Sequence, residues 1–152
     1  MSHIVDVHMK ARDLDALAEA GDRCGFTLNL GQQSHTWFGR FVGDTVPPPD
    51  RSPRDFGQCD HALRLKDHRA GDYEIGVVQA LDGDGFDLRW DTWGASGRRL
   101  IDAAGPEMNR LRQQYSAAVI SARARKKLAP KGFTTTREDL PGGRIRLRLR
   151  RR

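Results

Sequence analysis

Tyr73-Glu74-Ile75-Gly76-Val77, the turn Asp82-Gly83-Asp84-Gly85, and Phe86-Asp87-Leu88-Arg89-Trp90 decide the fold class of this 152-residue chain. Tyr73, Ile75 and Val77 alternate strictly with other residues, and so do Phe86, Leu88 and Trp90. A side-chain period of two belongs to a strand with one buried face. The turn glycines supply the positive φ that a tight hairpin needs. The segment therefore reads as an antiparallel hairpin with one apolar face, and Asp87, Arg89 and Asp91 fall on the other face as a solvated row. The acidic turn opens like a calcium loop, but an EF-hand counted from Asp82 requires glutamate at its twelfth position, where Trp93 stands.

Upstream of the hairpin, His3 to Met9 is rich in β-formers and predicts a first strand. Asp13 is placed to cap a helix through Leu14, Leu17, Ala18 and Cys24, which Gly25 closes. Phe26 to Leu30 and Thr36 to Val42 read as strands joined by the polar turn Gly31 to His35. Pro47, Pro48, Pro49 and Pro53 mark residues 43–57 as a surface loop, because proline removes backbone donors. Ala62, Leu63 and Leu65 mark another strand. Downstream, Pro106 opens a long helix in which Met108, Leu111, Tyr115, Ala118, Val119 and Ala122 form one stripe as far as about Leu128. A closing hairpin, Phe133 to Glu138 and Arg144 to Arg150, turns at Pro141-Gly142-Gly143. The expected fold is α+β: an antiparallel sheet of several hairpins covered by two helices, in a single domain spanning 1–152.

Composition narrows the function classes. Two cysteines 35 positions apart are too few for a disulfide scaffold or a four-ligand zinc site. No apolar run approaches the ~20 residues of a membrane span. The opening residues lack a basic stretch followed by an apolar one, so a cytoplasmic location is expected. Neither a phosphate-cradling glycine loop nor a serine elbow is present, and no cofactor is expected.

Charge is the informative quantity. The net charge is +6, yet residues 120–152 hold twelve basic residues against Glu138 and Asp139 alone, which leaves residues 1–119 net acidic. In the last strand, Ile145, Leu147 and Leu149 are expected to face the core, which turns Arg144, Arg146, Arg148 and Arg150 outward in one row. Successive members stand ~6.5–7 Å apart, comparable with the repeat of an extended phosphodiester chain. Guanidinium groups grip phosphate through a planar fork. Arg123, Arg125, Lys126 and Lys127 of the long helix extend the basic C-terminal region. Trp90 and Trp93 offer a stacking platform for a base, or else fill and seal the core edge.

These features point to a small non-enzymatic binding protein whose basic C-terminal helix and hairpin, residues 106–152, contact nucleic acid or a nucleic-acid-containing assembly. Two other classes remain. One is an adaptor or accessory subunit docking on an acidic protein surface. The other is an enzyme or metal protein around Cys59 and His61, which stand two apart and would share a strand face.

Several short stretches together resemble a known family. They are Met1-Ser2-His3-Ile4, Cys59-Asp60-His61-Ala62-Leu63, Tyr73-Glu74-Ile75-Gly76, and Gly85-Phe86-Asp87-Leu88 running on through Trp90-Asp91-Thr92-Trp93-Gly94. Leu111 with Gln114-Tyr115, and Gly143-Arg144-Ile145-Arg146-Leu147, complete the pattern. The chain resembles the hypothetical chloroplast reading frame thirty-five family of plastids, cyanobacteria, other bacteria and phages. The stretch Pro47 to Pro53 looks like an insertion relative to that pattern, and the terminal arginines are denser. The resemblance implies a single compact α+β domain. The family has no established reaction or ligand, so it assigns no functional residue here.

Overall fold

In the computed structural model, residues 4–40 and 55–152 are described. Strands β1 (Ile4–Ala11), β2 (Phe26–Leu30), β3 (His61–Leu65), β4 (Ile75–Gln79) and β5 (Phe86–Asp91) pair antiparallel in the order β1-β5-β4-β3-β2. Helices α1 (Leu14–Arg23), α2 (Gly94–Ala104) and α3 (Asn109–Leu128) accompany the sheet. Strands β6 (Phe133–Asp139) and β7 (Ile145–Arg151) form a separate two-stranded ribbon. The fold is α+β, as the hairpin periodicity requires. Residues 41–54, which hold most of the proline-rich stretch and the end of the expected Thr36–Val42 strand, lie outside the described residues, as does His3.

One sheet face carries the main core. Phe26, Leu63, Ile75, Val77, Leu88 and Trp90 are buried against Leu17 and Ala20 of α1, Leu100 and Ala104 of α2, and Met108 and Leu111. Alternation along β4 and β5 puts these residues on one side, and the helices exclude water from them. α1 lies close to β3 because Gly21 has no side chain: a Cβ there would stand 2.8 Å from Leu63 Cδ2. Asp13 caps α1 as expected, its carboxylate accepting the Ala16 N–H at 3.0 Å.

The opposite face departs from the expected solvated row. Arg89 is 1% exposed and Asp91 fully buried. Arg89 donates to Asp6 through Nε at 2.6 Å and Nη2 at 3.0 Å, across the β1–β5 pair. Asp91 accepts from the backbone N–H groups of Phe38 (3.1 Å) and Trp93 (3.0 Å). Among the described residues, the segment around 31–40 lies over this face with residues 55–60. Its backbone is tied down by His35 N to Gly57 O (2.7 Å), Cys59 N to Gln33 O (3.0 Å) and Glu74 N to Thr36 O (2.9 Å). Because the backbone of residues 36–40 bonds to loops and side chains rather than to a ladder, it is not the strand its sequence suggests. His35 sits directly on Gly76, where a Cβ would approach its ring to 2.5 Å.

α2 carries no start signal that a sequence reading can find. Trp93 caps it without a side-chain hydrogen bond, its first turn has no acidic residue, and glycines occupy positions 94 and 97. Gly97 is there for space, since a Cβ would meet the Thr92 backbone at 2.1 Å. Pro106 opens a short 3-10 turn rather than the long helix itself; Glu107 (φ 53°) and Met108 (φ 55°) then adopt left-handed backbone before α3 begins. Among the described residues no helix is long and apolar enough to cross a membrane.

Candidate nucleic-acid interface

The ribbon packs through one face on α3. Phe133, Thr135 and Arg137 share that face with Ile145, Leu147 and Leu149, by the pairing Thr135–Leu149, Arg137–Leu147 and Asp139–Ile145. Arg137 is the link: it is largely buried and hydrogen-bonds to Gln114 of α3 and to Asp139. Ile145 and Leu147 are half-buried there and Leu149 is 51% exposed, so these three belong to a thin ribbon–helix seam and not to the sheet core expected for them.

The arginine row is where alternation puts it. Arg146, Arg148 and Arg150 are exposed on the outer face, opposite Glu138, Thr136 and Thr134 of β6. Arg144 precedes β7 in extended backbone and is exposed too. Glu138 reaches both Arg148 (3.1 Å) and Arg146 (3.4 Å), at pairs whose side chains are nearly half exposed. Such pairs contribute at most about 1 kcal/mol each and yield readily to a stronger anion. Among the described residues Arg150 has no carboxylate within ion-pair distance, and the Thr134 hydroxyl donates to its carbonyl at 3.3 Å.

Two of the helix cations turn away from this row. Arg123 and Lys126 line a hollow with Met9, Lys10 and Arg12, on the side of α3 facing β1. Arg125 donates to Ser121 Oγ at 3.0 Å, and Lys127 is exposed. Arg123 and Lys126 therefore belong to a second surface, apart from the ribbon row.

Trp90 is 2% exposed and sits in the core, so its ring presents no face to a base. Trp93 is half-buried and meets Phe38 edge to face, centroids 4.8 Å apart. A tryptophan platform is replaced by a core tryptophan and an edge seal. Cys59 and His61 serve the backbone instead of each other: the thiol donates to Gln32 O at 3.1 Å, and His61 Nδ1 accepts from Gly31 N at 2.9 Å. Burial, with Asp60 and Glu74 nearby, pushes the Cys59 thiol up to about 12. Among the described residues no group of three or more His, Cys, Asp or Glu side chains stands together as a metal site.

The buried ionisable group that sequence reading missed is His35. Its Nδ1 lies 3.2 Å from Glu74 O, and its buried Nε2 has no hydrogen-bond partner among the described residues. Burial, reinforced by the Arg89 charge, lowers it to about 4. Glu74 lies beside it, its carboxylate accepting from Gln32 Nε2 (2.9 Å) and Thr36 N (3.0 Å). These groups hold the covering segment to the sheet.

No family model, curated protein or solved structure matches the chain.

Proposed function

We propose that the chain is a non-enzymatic binding protein that holds nucleic acid, or a nucleic-acid-containing assembly, along the outer face of the β6–β7 ribbon. The observation that carries this reading is the row Arg146, Arg148 and Arg150, exposed on one face and continued by Arg144. Alternate residues on a strand stand about 6.5–7 Å apart, so successive guanidinium groups meet successive phosphates of an extended strand. A charged edge explains one or two exposed cations, because edge strands use charge to block pairing with other chains. It does not explain four on one face, which repel one another and leave three in excess over Glu138.

The test is the fourfold change Arg144→Gln, Arg146→Gln, Arg148→Gln and Arg150→Gln, measured against a random single-stranded oligonucleotide over a salt series. Each phosphate that loses its cation lowers the slope of log affinity against log salt by about 0.7 for a single strand. A fall of roughly two to three in that slope is expected, with melting nearly unchanged because the row is solvated. Affinity and slope both unchanged would overturn the reading and leave docking on an acidic protein surface in its place.

A further inference from the structure

We propose that the outer edge of β1, with the two hollows that flank it, binds an extended acidic peptide of a partner protein by strand addition. β1 ends the sheet, so among the described residues one side of its backbone has no strand beside it. From Ile4 to Val7 its register with β5 is regular. Beyond that a bulge breaks the register before Ala11, and Lys10 takes left-handed backbone (φ 49°). A bulge of this kind stops edge pairing, which leaves one short, clean stretch at residues 4–7 open to a partner strand.

That open stretch borders a hollow of about 540 Å³, where Val5, Val7, Ile101 and Pro106 surround the edge of Trp90, Arg112 and Glu107 stand exposed beside them, and Asp6 lines the wall that Arg89 ties down. Val5 is 43% exposed, unusual for a valine on the helix-covered side of a sheet. On its rim the backbone between α2 and α3 turns through Glu107 and Met108, two successive non-glycine residues at positive φ. Such backbone strain persists only where packing enforces it, and it gathers at binding sites. Here the fully buried Met108 enforces it. The second hollow, about 530 Å³, lies between Met9–Asp13 and α3 and carries the half-buried Val119 and the 56% exposed Ile120.

Charge selects the occupant. Lys10 and Arg12 are already neutralised by the β4–β5 turn, at 2.6 Å to Asp82 and 2.6 Å to Asp84. Arg112, Arg123 and Lys126 have no carboxylate partner among the described residues, and of the acids lining the two hollows Asp6 is held by Arg89 and Asp13 caps α1, which leaves Glu107 alone against three cations. A second copy laid β1 to β1 is the competing occupant, and the oligomeric state in solution tests for it. Nucleic acid has no use for a backbone edge, and the buried Trp90 gives a base nothing to stack on. An extended peptide uses all three features: its main chain pairs with residues 4–7, an apolar side chain fills the hollow over Trp90, and carboxylates meet the three cations.

The test selects twelve-residue peptides from a random display library on the intact protein and measures an enriched peptide by fluorescence anisotropy. Enrichment of peptides with an apolar anchor flanked by Asp or Glu is expected. Binding should weaken at least tenfold in Arg112→Glu/Arg123→Glu/Lys126→Glu and in Val5→Asp, with melting of each variant confirming the fold. The ribbon variant with four glutamines should bind the peptide as the parent does, so this proposal and the nucleic-acid reading fail separately. Selection of basic or charge-free peptides, binding indifferent to the groove variants, loss in the ribbon variant alone, or a dimer abolished by Val5→Asp would each overturn it.

Discussion

Replacing Asp6 with alanine should damage this protein more than any exposed substitution. The Arg89 side chain is 2% exposed and its Nε and Nη2 both rest on the Asp6 carboxylate, at 2.6 and 3.0 Å. Removing the carboxylate takes two charge-assisted hydrogen bonds from a guanidinium in a place water does not reach. Breaking a buried pair by deleting one partner costs about 3–5 kcal/mol, most of it desolvation of the charge left behind. For a chain of this size each kcal/mol moves the melting point by about 2–4 °C, so Asp6→Ala should melt roughly 6–20 °C lower. Urea unfolding should show the same loss as a lower midpoint with an unchanged slope. The double variant Asp6→Leu/Arg89→Met should recover much of it, because two apolar side chains need no solvent. A fall of less than about 2 °C in Asp6→Ala, below the range expected for this chain length, would show that the Asp6 carboxylate is not what holds the Arg89 charge in place.

His35 makes stability depend on pH. Its folded value is about 4, below its ordinary 6.5, so the unfolded chain takes up the proton first as pH falls. Stability from this group is complete above pH 6.5 and declines by about 3 kcal/mol towards pH 4; Tm against pH for His35→Gln should be flatter across that window than for the parent. Tyr115→Phe removes the hydroxyl that accepts from Arg12 N (2.9 Å) and Asp13 N (3.2 Å) at the start of α1, and should cost about 1–2 kcal/mol in denaturant unfolding.

Where a residue's period and its burial coincide, the sequence was legible. Ile75, Val77, Leu88 and Trp90 alternate and are all buried on the helix side, so hairpin, sheet class and core follow from spacing alone. The arginine row was legible for the same reason, since its alternation with Ile145 and Leu147 is local. Asp87, Arg89 and Asp91 alternate equally well, but whether such a face is wet depends on what lies over it. The cover is the 31–40 segment, held by bonds to Gly57, Glu74 and Asp91 that no local pattern announces. Gly76, placed in a strand where glycine is a weak choice, was the one mark of a close approach. α2 is not legible in the sequence because its start relies on the space Gly97 leaves for Thr92 rather than on a capping side chain. That Arg123 and Lys126 turn away from the ribbon is likewise a matter of how α3 sits between two neighbours, which helical spacing does not specify.

The strand order has a consequence in time. β2 to β5 are neighbours both in sequence and in the sheet, but β1 pairs with β5, joining Ile4 to Asp91. At a synthesis rate of about 5–20 residues per second, the first strand emerges several seconds before its partner exists. Throughout that interval Ile4, Val5 and Val7 stay unpaired while the hairpins that will receive them are still being made. β1 thus cannot take its place in the sheet until β5, the last strand of that sheet in the chain, has emerged, and closing that long loop is an entropic cost that the local hairpins do not carry.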